Sequence, residues 1–195
     1  MEQNKITTNT SPLPLGSGLE TTYTISVFTE DIVGLLNRIT IIFTRRNINI
    51  ESIIVSESEV KGIYRYTIIV TVTAERIEKI VKLIEKQVDV MKAFYHVDDD
   101  IISTEIALYK ISAEAINQNE LFIKVINKHH ATIIKESLDY IVVQKTGGDV
   151  EIMNLFNDLE QFGMLEFSRS GKVAVTKPMK TLLNYLKEME INNSN

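Results

Sequence analysis

Apolar positions along this chain change their period several times. Tyr23, Ile25 and Val27 alternate with Thr24 and Ser26, which predicts a strand. From Gly34 the spacing lengthens. Leu35, Ile39, Ile42 and Phe43, with neighbouring Leu36, fall at helical intervals, while Asn37, Arg38 and Arg45 take the outer side. Arg45 and Arg46 close this helix with the charge its dipole favours, and Asn47 is a suitable stop. Residues 48–58 are β-branched and predict a second strand, and residues 57–62 a turn. A third strand runs over 63–72, with Tyr64, Tyr66, Ile68, Val70 and Val72 on one face and Arg65, Thr67, Ile69 and Thr71 on the other. Ile77, Ile80, Val81, Ile84 and Val88 mark an amphipathic helix from Ala74 to Gln87, and residues 88–97 a fourth strand.

The order β-α-β-β-α-β over residues 23–98 is that of the split-βαβ, ferredoxin-like unit. It predicts a four-stranded antiparallel sheet with two helices on one face. Ile69 on the opposite side of the third strand implies that this second face is covered too, by a partner subunit or another domain. After the acidic hinge Asp98–Asp100 the pattern returns, offset by about 80 residues. Residues 104–111 form a strand. Asn119–Lys128 is helical, with Leu121, Phe122, Val125 and Ile126 on its stripe. Residues 131–137 and 140–146 make a hairpin about Leu138–Asp139. Asp149–Phe162 is a helix carrying Met153, Phe156 and Leu159, residues 164–171 a strand, and 172–177 a further short one. The expected fold is therefore α+β, two tandem ferredoxin-like βαββαβ domains over 21–99 and 100–195. A Thr-, Asn- and Pro-rich flexible tail over residues 1–20 precedes them. Leu182, Leu186 and Met189 give Pro178–Glu190 the period of a terminal amphipathic helix.

Composition narrows the function. With 21 Lys and Arg against 26 Asp and Glu, the net charge is −5, which lacks the basic footprint of a nucleic-acid binder. Cysteine is absent, so thiolate nucleophiles, disulfides and Cys-ligated metals are excluded and a reducing, cytoplasmic setting fits. No apolar run approaches the ~20 residues of a membrane span. There is no P-loop, no G-x-G-x-x-G and no G-x-S-x-G. His129–His130 has no supporting ligand at helical spacing and is expected to be a solvated helix end, and His96 a structural side chain. Glu57-Ser58-Glu59 and Asp98–Asp100 lack the spacing of a calcium loop and are expected to be solvated turns.

Two segments stand out. Thr29–Arg38 joins a strand to a helix, with Gly34 at the helix entry. Unpaired N–H groups and the helix dipole suit a small carboxylate there, and Gly34 lets a ligand approach the backbone. The alternative is that Asp31 caps the helix and Gly34 serves the turn. Asn49, at the entry to the second strand, either contacts a ligand held at that helix start or satisfies local backbone.

Gly34-Leu35-Leu36-Asn37-Arg38, Arg45-Arg46 and Asn49-Ile50-Glu51-Ser52 together strongly resemble the ACT domain of the small, regulatory subunit of acetolactate synthase. Gln87–Val90, Glu105–Ile111 and Arg169-Ser170-Gly171 resemble later parts of the same family. The resemblance covers about residues 21–178. It implies a non-catalytic protein that binds and activates a large catalytic subunit, which itself carries thiamine diphosphate, magnesium and FAD. No cofactor or metal is expected in this chain. The resemblance further implies a homodimer through ACT domains and feedback inhibition by a branched-chain amino acid, valine above all. The effector site would comprise Asp31, Ile32, Val33, Gly34, Leu35, Leu36, Asn49 and Ile50, with Asn49 and Ile50 from the opposite protomer. At position 31 the family usually has Asn. The Asp31 carboxylate here attracts a ligand ammonium and repels a ligand carboxylate. The other readings are an ACT-type sensor acting on a different enzyme or regulator, and a small phosphate enzyme. The latter would need an Arg where this first loop has Glu30-Asp31.

Overall fold

A computed structural model describes residues 18–115 and 120–177. The expected N-terminal tail up to residue 17, and the expected helix from Pro178, lie outside the described residues. The first unit comprises β1 (Glu20–Glu30), α1 (Leu35–Thr44), β2 (Ser52–Glu57), β3 (Ile63–Thr73), α2 (Ala74–Glu85) and β4 (Val90–His96). A 3₁₀ turn at Asp98–Asp100 leads into β5 (Ile101–Ser112), α3 (Glu120–Lys128), β6 (Thr132–Glu136), β7 (Tyr140–Gly147), α4 (Asp149–Glu160), β8 (Met164–Arg169) and β9 (Val173–Thr176). The sheets are antiparallel with orders β2-β3-β1-β4 and β6-β7-β5-β8, and β9 adds to β5. This is the tandem ferredoxin-like α+β fold.

Leu35, Ile39, Ile42 and Phe43 of α1 and Ile77, Ile80, Val81 and Ile84 of α2 pack on Tyr23, Ile25 and Val27 of β1 and on Tyr66, Ile68, Val70 and Val72 of β3. Each sheet residue is every second one along its strand, so one face of the sheet meets both helices. The second core repeats the scheme with Ala107, Tyr109 and Ile111 beneath Phe122, Val125, Ile152, Leu155 and Leu159.

Several expected positions move. β1 begins at Glu20, inside the expected tail, because Glu20 still pairs with Thr73. Leu36 faces solvent, as do Val88, in the turn after α2, and Leu121 of α3. In α4 the buried stripe is Ile152, Leu155 and Leu159, with Met153 and Phe156 at its flank; Phe156 meets Phe167 edge-on at 4.9 Å. The expected strand over 164–171 stops at Arg169. Asp98–Asp100 is held to the end of the chain's second sheet: Lys172 Nζ lies 3.0 Å from Asp98 Oδ1, and Lys177 Nζ donates to the Asp99 carbonyl. His129 is not a solvated end. Its Nε2 lies 2.7 Å from Asp158 Oδ2, tying α3 to α4, and the hydrogen bonds from Lys128 and His129 hold the Asp158 carboxyl below its ordinary range.

The outer face of the first sheet, away from its helices, is also buried. Thr24, Ser26, Thr67 and Ile69 are all under 8% exposed.

β8 and β9 follow one edge of β5 in succession, β8 opposite Ala107–Ile111 and β9 opposite Ile101–Thr104. Between them Ser170 bonds both ways with Ile106: its N–H donates to the Ile106 carbonyl, and its Oγ accepts from the Ile106 N–H at 3.0 Å. Arg169 binds Asp149 at the start of α4 and lies 3.8 Å from the buried Glu105 carboxylate. Gly171 then passes the first unit so closely that a Cβ there would sit 2.8 Å from Ile54 Cγ1 and against the Ser52 hydroxyl. The Arg169-Ser170-Gly171 turn is thus the joint between the two units.

Candidate effector site

The helix that would hold an effector starts at Gly34. This residue adopts φ 85°, ψ −3°, the left-handed region open to glycine, and no side chain caps the helix. Asp31 is therefore not the cap; it stands exposed three residues earlier. The Leu35 N–H donates to the Ile32 carbonyl at 3.2 Å, while the Leu36 and Asn37 N–H groups have no backbone acceptor among the described residues. A Cβ on Gly34 would meet nothing within 4 Å. The helix start is thus a concentration of free donors with open space before it, the arrangement that accepts an anion. Val33 is fully exposed and Ile32 and Leu36 partly so, which lines the approach with apolar surface, while Leu35 is fully buried in the core.

The loop is fixed from behind. Arg38 Nη2 lies 2.7 Å from Asp89 Oδ2, and the Arg38 guanidinium also reaches the Val88 carbonyl. Asp89, at φ 74°, accepts the Glu30 N–H on its own carbonyl. One residue therefore ties the end of β1, the start of α1 and the entry to β4. Beneath the loop lies Tyr66. Burial pushes its phenol above the ordinary range, the Thr29 side chain pulls the other way, and the nearby Asp31 carboxylate adds to the rise. Arg38, Tyr66 and Asp89 were not among the expected site residues. Their partners are distant in sequence, and a helix-face arginine carries no local sign of such a tether.

Asn49 and Ile50 are elsewhere. Glu51 N–H bonds to the Ile69 carbonyl, and Ser52 pairs with Ile69, which itself pairs with Thr24 near the start of β1. The Asp31 loop follows Glu30, which pairs with Ile63 at the other end of β3. Within one chain the two expected halves of the site are separated by the strand from Thr24 to Glu30, about 20 Å. The first loop and the second strand's entry are thus not neighbours in one protomer. Asn49 is exposed, and Ile50 packs against the first core.

The sequence relationships agree with this architecture. Residues 104–178 match the family model described as the small subunit of acetolactate synthase, and residues 23–89 match the ACT domain model. The acetolactate synthase small subunit of Mycobacterium leprae is 35% identical over 156 residues, covering 80% of this chain and 92% of that protein.

This chain belongs to the acetolactate synthase small subunit family.

The Bacillus subtilis small subunit is 37% identical over 145 residues, 74% of this chain and 84% of its own length. The crystal structure of the acetolactate synthase small subunit from Thermotoga maritima superposes with a TM-score of 0.73 at 27% identity, covering 82% of this chain and 99% of that one. The relatives of this chain are small subunits of an enzyme, which implies a partner catalytic subunit. Among the described residues there is no cluster of three metal-binding side chains and no helix long and apolar enough to cross a membrane.

Proposed function

We propose that this protein is the regulatory subunit of acetolactate synthase in branched-chain amino-acid biosynthesis. On this reading it works without chemistry of its own, in the cytoplasm. It binds the catalytic subunit, which holds the thiamine diphosphate, magnesium and FAD, raises that subunit's activity and imposes feedback inhibition by valine or a related amino acid. The observation that carries the effector assignment is the start of α1: free Leu36 and Asn37 N–H groups behind a left-handed Gly34 with open space in front. An α-carboxylate binds there, and Val33 and Leu36 receive the branched side chain.

The separation of Asn49 from this loop supports a two-chain site. β2 is an edge strand with Val55 exposed. A two-fold axis at that edge sets β2 antiparallel to its copy and reverses the partner's first unit end for end. The Gly34 end of one α1 then meets the Asn49–Ile50 segment of the other chain. The resulting site draws on Asp31, Ile32, Val33, Gly34 and Leu36 from one protomer, with Leu35 anchoring the loop in the core beneath, and on Asn49 and Ile50 from its partner.

Calorimetric titration of the purified chain with valine, leucine, isoleucine and alanine tests the effector. Saturable heat from a branched-chain amino acid is expected, and its loss in Gly34→Ala, where the left-handed backbone is strained by about 1 kcal/mol. Absence of heat from all four overturns the effector assignment. Assay of the catalytic subunit with and without this chain tests the regulatory assignment separately; unchanged activity overturns that one.

A further inference from the structure

The joint between the two units holds a cleft of about 200 Å³. The first unit contributes Glu51 and Ser52 to its walls, and the second contributes Glu105, Arg169, Ser170 and Gly171. Its unmet polar groups are acceptors. Glu105 is only 8% exposed, and its Oε2 is buried without a hydrogen-bond donor. The Arg169 guanidinium, 3.8 Å away, is too distant to hydrogen-bond that oxygen and is engaged by Asp149. The nearest lysine along β7, Lys145, is turned to Glu151 at 3.9 Å. Among the described residues the Glu51 side chain makes no hydrogen bond or ion pair. The Ser170 hydroxyl is already occupied by the Ile106 N–H and the Gly171 carbonyl. A carboxylate oxygen buried without a donor is costly, and a cleft beside it gives a donor room to enter.

We propose that this cleft binds a small aliphatic diamine, one ammonium group on Glu105 and the other on Glu51, so that the ligand bridges the two units. Donor chemistry comes first. Carboxylates only accept, so the ligand must bring N–H groups, and charged ones bind them most strongly. The charge agrees. Arg169 and Asp149 neutralise each other, which leaves the two glutamates for a dication to match. Size agrees as well: 200 Å³ is the liquid volume of roughly six waters, the bulk of a chain of about six heavy atoms. A divalent metal is a poorer match. It takes six or more oxygen ligands, no three carboxylate or imidazole groups converge among the described residues, and a guanidinium already flanks Glu105. An amino acid is a poorer match too, because its carboxylate would meet Glu51 with no free cation to receive it. The cleft is separate from the start of α1: Ser52 pairs with Ile69, whereas the Gly34 loop follows Glu30, which pairs with Ile63. The proposal is therefore independent of the effector assignment.

The test follows amide signals of the intact chain while the linear four-carbon diamine is added at neutral pH and low salt. Saturable shifts at Ser52, Ser170 and Gly171 are expected, with Tyr109 and Val143 in the second core unmoved. Glu105→Gln keeps the shape of the side chain and is expected to weaken binding about tenfold. Glu51→Gln, at an exposed position that leaves the fold intact, is expected to weaken it several-fold and decides the matter if Glu105→Gln misfolds. Butylamine, which lacks the second ammonium group, is expected to bind about tenfold more weakly than the diamine. Absence of saturable shifts in the millimolar range overturns the proposal. So does equal binding by the parent and the folded variants. Equal shifts from magnesium chloride would mean a site for any cation, and equal shifts from tetramethylammonium would mean attraction without N–H donors; either result overturns the proposal.

Discussion

Arg38 and Asp89, 51 residues apart in sequence, meet at 2.7 Å and join the first turn of α1 to the entry of β4. The pair is partly exposed, so its own contribution to stability is below about 1 kcal/mol. Its consequence is positional: it holds the turn that presents the Leu36 and Asn37 N–H groups.

Replacing Asp89 separates these roles. Asp89→Gly keeps the left-handed turn and loses the tether; Asp89→Ala loses both. In both variants valine affinity is expected to fall several-fold in calorimetry. Thermal stability is expected to drop in Asp89→Ala and to stay near the parent in Asp89→Gly.

Asp31 sets the charge of the same loop. It is exposed and caps nothing, so Asp31→Asn leaves the fold intact. Two unit charges ~4 Å apart at an effective dielectric near 20 interact by about 4 kcal/mol before screening. Where the repulsion of the ligand carboxylate dominates, Asp31→Asn tightens valine binding. A dissociation constant that is unchanged or weaker in this variant would falsify that dominance.

The periodic parts of the fold were readable in advance. The stripe Leu35, Ile39, Ile42 and Phe43 lies within ten residues, and a helix writes its buried face into the chain at that range. The alternation in β3 is equally local. What escaped is long-range. Leu36 differs from Leu35 only by the direction in which it points. The distance between Asn49 and the Asp31 loop depends on strand order, not on spacing along the chain. Gly171 against Ser52, and Arg38 against Asp89, join parts whose proximity exists only after both sheets are assembled. In the site, Gly34 was readable because a glycine at a helix entry has a local reason. The alternation in β3 puts Tyr66 on the face that proves to be buried, and its place beneath Asp31 follows from the register of β3.

The joint at Gly171 gives a mechanical prediction. Gly171→Ala drives a methyl group into Ser52 and Ile54, and such overpacking costs roughly 1–3 kcal/mol. In scanning calorimetry the parent is expected to unfold in one transition and the variant in two, as the units uncouple. A single transition at the parent temperature would count against the joint.

High pH tests the second core. Tyr109 is fully buried and its hydroxyl donates to the Ile152 carbonyl at 2.8 Å. Burial pushes its phenol up to about 12, with Arg169 opposing slightly. The unfolded chain releases this proton near pH 10, while the folded chain keeps it. Stability is therefore complete below about pH 10 and declines from there to about pH 12, by of order 2 kcal/mol. Urea titrations at pH 8, 10 and 11 should show this slope, and Tyr109→Phe should flatten it at a cost of about 1 kcal/mol at neutral pH.

The opposite placement of Gly34 and Asn49 has a genetic reading. Where each pocket takes its loop from one chain and its asparagine from the other, a dimer has two pockets, each with mixed parentage. A chain damaged only at Gly34, mixed with one damaged only at Asn49, rebuilds one pocket from the two sound ends and concentrates both faults in the other. Two alleles that each abolish valine sensitivity when alone would thus restore part of it when expressed together.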